Sequence, residues 1–190
     1  MLVVKNRLWI VSAVAAGVVV SACSGQTTGN PTPTTSSSGS APTSSASSNA
    51  DPLAAVDPCS LISKALVTQN VLQQDPTPSV PGGRGCRWTR PDDGSTPNPS
   101  YTLDVDIYDT SGLSGMNTQG MQVSSNPIGN RPGRLLQDTT LGSCLLGIAV
   151  TSTSRVDIDA NAAAGDITTS CKLVSEISQA VAPNLPPYSG

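Results

Sequence analysis

The stretch Tyr101-Thr102-Leu103-Asp104-Val105-Asp106-Ile107-Tyr108-Asp109 alternates without a break: Tyr101, Leu103, Val105 and Ile107 fall on one side, Asp104, Asp106 and Tyr108 on the other. A period of two is that of a β-strand with one face in a core and the other facing polar surroundings. The same pattern returns at Val156, Ile158 and Ala160, which alternate with Asp157 and Asp159. Just before it, residues 144–150 are apolar almost throughout, as a central strand is. These two segments read as a hairpin. Matching their apolar faces sets Val156 opposite Val150 and Ile158 opposite Ile148, with a loop of about three residues, 152–154, between them.

Outward from this centre the signals are shorter. Residues 86–89 read as a strand carrying Trp88, and 134–137 as another; 76–85 and 91–99 are Pro/Gly loops. Asp57 or Ser60 can cap a helix running to about Leu72, with Leu61, Ile62, Ala65, Leu66 and Gln69 at helical spacing. Residues 110–132 are weakly patterned, with a short helix expected around 115–123 and then loop. A last helix over about 166–182 puts Cys171, Val174, Ile177 or Ser178, and Val181 on one face, and Pro183, Pro186 and Pro187 stop it. Helix, strands and helix in that order predict an α+β fold. Its expected form is an antiparallel sheet of about five strands with the N- and C-terminal helices packed on one face.

Composition narrows the chemistry. The 190 residues carry 10 Lys and Arg against 13 Asp and Glu, no His and no Phe. Without histidine there is no Ser-His-Asp or Cys-His triad and no imidazole ligand for a metal. A net charge of −3 with only 12 % charged residues argues against a nucleic-acid groove. No cofactor-binding motif is present, and no metal ligand set is expected.

Residues 1–22 read as a leader, with Lys5 and Arg7 followed by an apolar run from Leu8 to Val20. At about 13 residues this run is short of the roughly 20 that span a bilayer. Val20-Ser21-Ala22-Cys23 resembles the bacterial lipobox, which predicts diacylglyceryl and acyl (palmitate-type) groups on Cys23 and anchoring on the extracytoplasmic face of the cell membrane. Residues 23–50 then form a Ser/Thr/Pro-rich tether with no aliphatic side chain larger than Ala after Cys23, expected to be disordered. Residues 51–187 are the single extracytoplasmic domain.

Four cysteines fall in that domain: Cys59, Cys86, Cys144 and Cys171. An even set in an exported chain reads as two disulfides, and the absence of any CxxC knuckle speaks against a zinc site. Of the three connectivities, Cys59–Cys86 with Cys144–Cys171 is preferred, each joining a helix to a strand.

The lipobox, the tether, Asp57-Pro58-Cys59-Ser60-Leu61-Ile62, Cys86-Arg87-Trp88, the strand at Cys144 and the helix from Cys171-Lys172-Leu173-Val174 to Pro183-Asn184-Leu185-Pro186 together resemble the DUF3558 family of actinobacterial lipoproteins. The resemblance implies an exported lipoprotein with paired cysteines and imports no active site. More distantly, the layout is similar to the two-disulfide extracellular sensor domains of mycobacterial receptor kinases, which bears on fold alone.

Two Asp-x-Asp strands, Asp104/Asp106 and Asp157/Asp159, are the most suggestive chemical feature. Four carboxylates together could hold Ca²⁺ or supply a glycosidase-like acid/base pair, and the plainer expectation is a solvated sheet face. Arg84, Arg87 and Arg90 are candidates for a small anion-binding cluster, while Trp88 is expected in the core before any role as a ligand platform. The expected function is a non-enzymatic binding or sensing module for an envelope protein or an amphiphile, working through the sheet or residues 110–132. A carboxylate-based glycan hydrolase and a purely structural surface protein are the alternatives.

Overall fold

A computed structural model describes residues 51–75, 80–92, 94 and 100–190, with backbone alone at Ala164. The leader, Cys23, the tether and parts of both Pro/Gly loops lie outside the described residues.

Seven strands form one sheet: β1 (Gln73–Gln74), β2 (Arg84–Arg90), β3 (Tyr101–Tyr108), β4 (Gln122–Ser125), β5 (Gly133–Asp138), β6 (Ser143–Ala149) and β7 (Arg155–Ala162). Their order is β1-β2-β3-β7-β6-β5-β4, and every neighbouring pair is antiparallel. The two alternating segments, β3 and β7, lie side by side in the middle, where the largest number of apolar side chains can be covered. Register places Leu103 opposite Trp88 and Ala160, and Val105 opposite Cys86 and Ile158. Leu146 and Ile148 continue that face on β6.

Both helical regions cover this face. Helix α2 (Ile167–Val181) packs on β6 and β7 and buries Leu173, Val174, Ile177 and Val181. Asp166 caps it, its carboxylate accepting from the N–H groups of Thr168 and Thr169. On the β2–β3 side the N-terminal segment adds Leu53, Leu61 and Ile62 to the core. Disulfides Cys59–Cys86 and Cys144–Cys171 tie each helical region to the strand beneath it, in the preferred connectivity. The core and both disulfides lie wholly within residues 53–185, so the part from residue 51 onward has what it needs to fold alone.

Four expectations are corrected. The sheet has seven strands rather than about five, because β1 has two residues and β4 is exposed throughout, so neither edge carries an apolar alternation. The N-terminal helix is not continuous: Asp57 caps a 3-10 turn at Pro58–Ser60, and Ser63 caps a separate six-residue helix, α1 (Lys64–Gln69). In place of a helix over 115–123 there is a 3-10 turn at Leu113–Gly115 followed by β4. The β6–β7 hairpin pairs Ile148 with Val156 and Leu146 with Ile158, two residues from the expected register. Its loop is 151–153, one residue earlier, since the Val150 N–H still donates to the Ser154 carbonyl. A shift of two keeps each side chain on its intended face.

Candidate functional sites

Sheet register decides what happens to the aspartates. Two rows run across β2, β3, β7 and β6 on the face away from the helices: Arg87, Asp104, Asp159, Leu145, and beside it Gly85, Asp106, Asp157, Gly147. Asp104 therefore stands opposite Asp159, and Asp106 opposite Asp157, so the four carboxylates form a two-by-two array at the centre of the sheet. Side chains so placed are close neighbours, and like charges there repel.

Two arginines serve this array. Arg87 clamps Asp104 through two hydrogen bonds of 2.7 and 3.0 Å. Arg155 Nε donates to both oxygens of Asp157 at 2.8 and 3.0 Å, and both residues are buried. The Arg155 guanidinium also donates to Ser111 and Gly112 and stacks 3.9 Å from the centre of the Tyr108 ring. Asp106 and Asp159 have no ion-pair partner among the described residues. Asp106 is 9 % exposed, and its Oδ1 has no donor. Glycine makes this packing possible: a Cβ at Gly85 would collide with Asp106 Oδ1, and one at Gly147 would meet Asp157 Oδ1 at 2.9 Å and Met116 Sδ at 2.6 Å.

Burial, then the charges of Asp104, Asp157 and Asp159, push the Asp106 carboxyl up to about 7. Burial, then Asp104 and Asp157, raise Asp159 to about 7 as well. Burial also raises Asp157, opposed by its hydrogen bonds from Arg155. The face is thus not the evenly solvated one expected. It is a proton-binding array with a deficit of two cations. Among the described residues no group of three or more acidic or cysteine side chains is placed to hold a metal ion.

The other singled-out residues are spread apart. Arg84 lies on the helix side, where it pairs with Asp109 at 2.8 Å and donates to the carbonyls of Leu53 and Val56. Arg90 lies over Tyr101 at 5.9 Å. Arg87 is on the opposite face, so the three arginines do not converge. Trp88 is 1 % exposed and belongs to the core.

Sequence reading did not find the cleft at the other end of the molecule. Ile128 and Arg131 bridge across a two-residue turn, with Gly129 at φ 61° supplying the conformation that the turn requires. Opposite this turn runs the chain after α2. Between them opens a cleft of about 560 Å³ lined by residues 128–131, Gln179, Ala182, Pro183, Leu185 and Pro187. Arg131 is 7 % exposed and donates to the carbonyls of Ala149, Leu185 and Pro186. Gly129-Asn130 is a turn signal in the sequence, but nothing there marks Arg131 as buried.

None of the three clefts, the one between residues 128–131 and 179–187, the one by Asp51, Asp109 and the 151–153 loop, and the one by Leu113, Val123 and Arg134, includes the aspartate array. No helix among the described residues is long and apolar enough to cross a membrane.

Neither a curated protein nor a solved structure matches the chain. The family model for DUF3558, a protein family of unknown function, matches residues 18–184, and the chain belongs to that family.

Proposed function

We propose that this protein is a lipid-anchored, extracytoplasmic binding module that takes up an amphiphile in the cleft between the 128–131 turn and the chain after α2. The observation that carries the reading is the cleft itself, with Ile128, Ala182, Pro183, Leu185 and Pro187 as apolar walls and a single buried cation, Arg131. Ligand sites are concave and mostly apolar, with few polar groups to fix orientation, and this cleft sets five apolar residues beside three polar ones, Asn130, Arg131 and Gln179. The turn lies within residues 110–132, which the sequence left without another role. The lipobox at 20–23 supports the anchor, because two or more acyl chains hold a protein stably at a bilayer where one does not.

A carboxylate-based hydrolase has one point in its favour, the raised carboxyls of Asp106 and Asp159. Against it, none of the three clefts named above is lined by these aspartates. The binding reading is tested by native mass spectrometry of the protein purified from its own host's envelope. The expected result is a bound species lost on delipidation, with the mass of acyl groups on Cys23. An empty domain would count against the cleft, and an unmodified Cys23 against the anchor.

A further inference from the structure

Arg131 is a full positive charge held in the protein with no negative charge beside it. No carboxylate among the described residues comes within ion-pair distance of it. Its pKa is lowered by burial alone, with no contribution from any neighbouring charge. Three carbonyl oxygens, of Ala149, Leu185 and Pro186, offer partial negative charge, which orients the guanidinium without neutralising it. Among the described residues Arg84, Arg87 and Arg155 each pair with an aspartate, whereas Arg90 and Arg134, which have no ion pair, are only half-buried; Arg131 is the buried arginine that lacks one.

The plain account of Arg131 is a strap that fixes the C-terminal segment to the β4–β5 hairpin. Its hydrogen bonds do this, yet they use only one Nη1 hydrogen and both Nη2 hydrogens. Nε–H takes no acceptor, and Nε is not among the sealed, unpartnered atoms of the protein. A strap alone could be made by a neutral donor at lower desolvation cost. Here a charged one lines a cleft whose other polar side chains, Asn130 and Gln179, are neutral.

We infer that Arg131 is the anion-recognising element of the cleft, so that the ligand is an amphiphile with a carboxylate or phosphate head. This rests on the cleft reading given above and adds the chemistry of the head group. The acidic head meets the guanidinium at the turn, and the alkyl chain lies along Ile128, Pro183, Leu185 and Pro187.

The test titrates residues 51–190, disulfides intact, with dodecanoate, dodecyl phosphate, dodecanol and inorganic phosphate, following affinity by calorimetry and the Arg131 Nε–H resonance by NMR. Both acids are expected to bind about tenfold or more tightly than the alcohol, and to move the Nε–H resonance where the alcohol does not. Arg131→Gln should bring the acids down to the alcohol's affinity. Because that variant removes the strap and could fail to fold, the wild-type Nε–H response carries the test without it. Gln179→Trp, at an exposed position on the rim, should weaken all three alkyl ligands. Equal binding of dodecanol and dodecanoate would overturn the anion assignment while leaving the cleft standing. Inorganic phosphate binding as tightly as dodecyl phosphate would overturn the amphiphile in favour of a free anion. Failure of every ligand to bind would overturn both.

Discussion

Val71 sits at φ 53°, the left-handed region that a β-branched residue rarely enters, in the position just past the end of α1 where glycine is usual. Its side chain is 56 % exposed, so it recovers little by packing. The left-handed conformation costs about 1–2 kcal/mol for a side chain with a Cβ, and glycine's larger unfolded-state entropy returns about half of that. Val71→Gly is therefore expected to raise stability by about 0.5–1 kcal/mol, read as a shift of the denaturation midpoint at unchanged m-value. The aspartates give a second prediction at this scale. Carboxyls at about 7 in the folded chain and near 3.9 in the unfolded one mean that the folded state holds more protons between those values. Stability contributed by protonated Asp106 and Asp159 is thus fully present below about pH 4 and is lost as pH rises to about 7, at up to about 1.4 kcal/mol per pH unit for each group. Asp106→Asn should flatten this slope and stabilise the protein at pH 8 relative to wild type, measured by melting at several pH values. A melting temperature independent of pH between 5 and 8 in the wild type would contradict the buried array.

At the scale of elements, the sequence was most legible where burial follows the strand period. Residues 101–108 and 155–162 announce β3 and β7 because each alternates without interruption, and each is central. It was least legible at β1 and β4, where edge strands have no buried face to write into the pattern. The two Asp-x-Asp motifs, Asp104/Asp106 and Asp157/Asp159, were legible as alternate positions on two strands. Their direct opposition, and the burial that follows from glycines at 85 and 147, depend on register between strands distant in sequence, which no local pattern encodes. The cysteines are the clearest case of correct reading, since their pairing follows from a helix–sheet layout that the structure has. Each bridge closes 27 residues of separation, for which chain entropy gives roughly 3.5 kcal/mol. Replacing Cys144 and Cys171 together by Ala should lower unfolding free energy by about 3 kcal/mol in urea. The loss would fall on α2, whose backbone amides should lose hydrogen-exchange protection before those of β3. Uniform loss across the sheet would mean that α2 is held by its apolar face and not by the bridge.

For the whole molecule, two faces do different work. The helix side holds the core and both disulfides, and the opposite side holds the proton-binding array. The cleft lies at one end, where the β4–β5 hairpin tip meets the chain leaving α2, and it is built from two segments that sequence alone does not bring together. Arg131 and Leu185 are 54 residues apart in the chain, yet one hydrogen bond joins them. That distance explains why the candidate site was less legible than the fold. The most direct test of the cleft as the binding site is photo-crosslinking of residues 51–190 with a diazirine-bearing twelve-carbon acid, followed by peptide sequencing. The account predicts labels confined to residues 126–131 and 179–187, competed away by unlabelled dodecanoate. Labels on the strands of the acidic face, or labels scattered without competition, would contradict it.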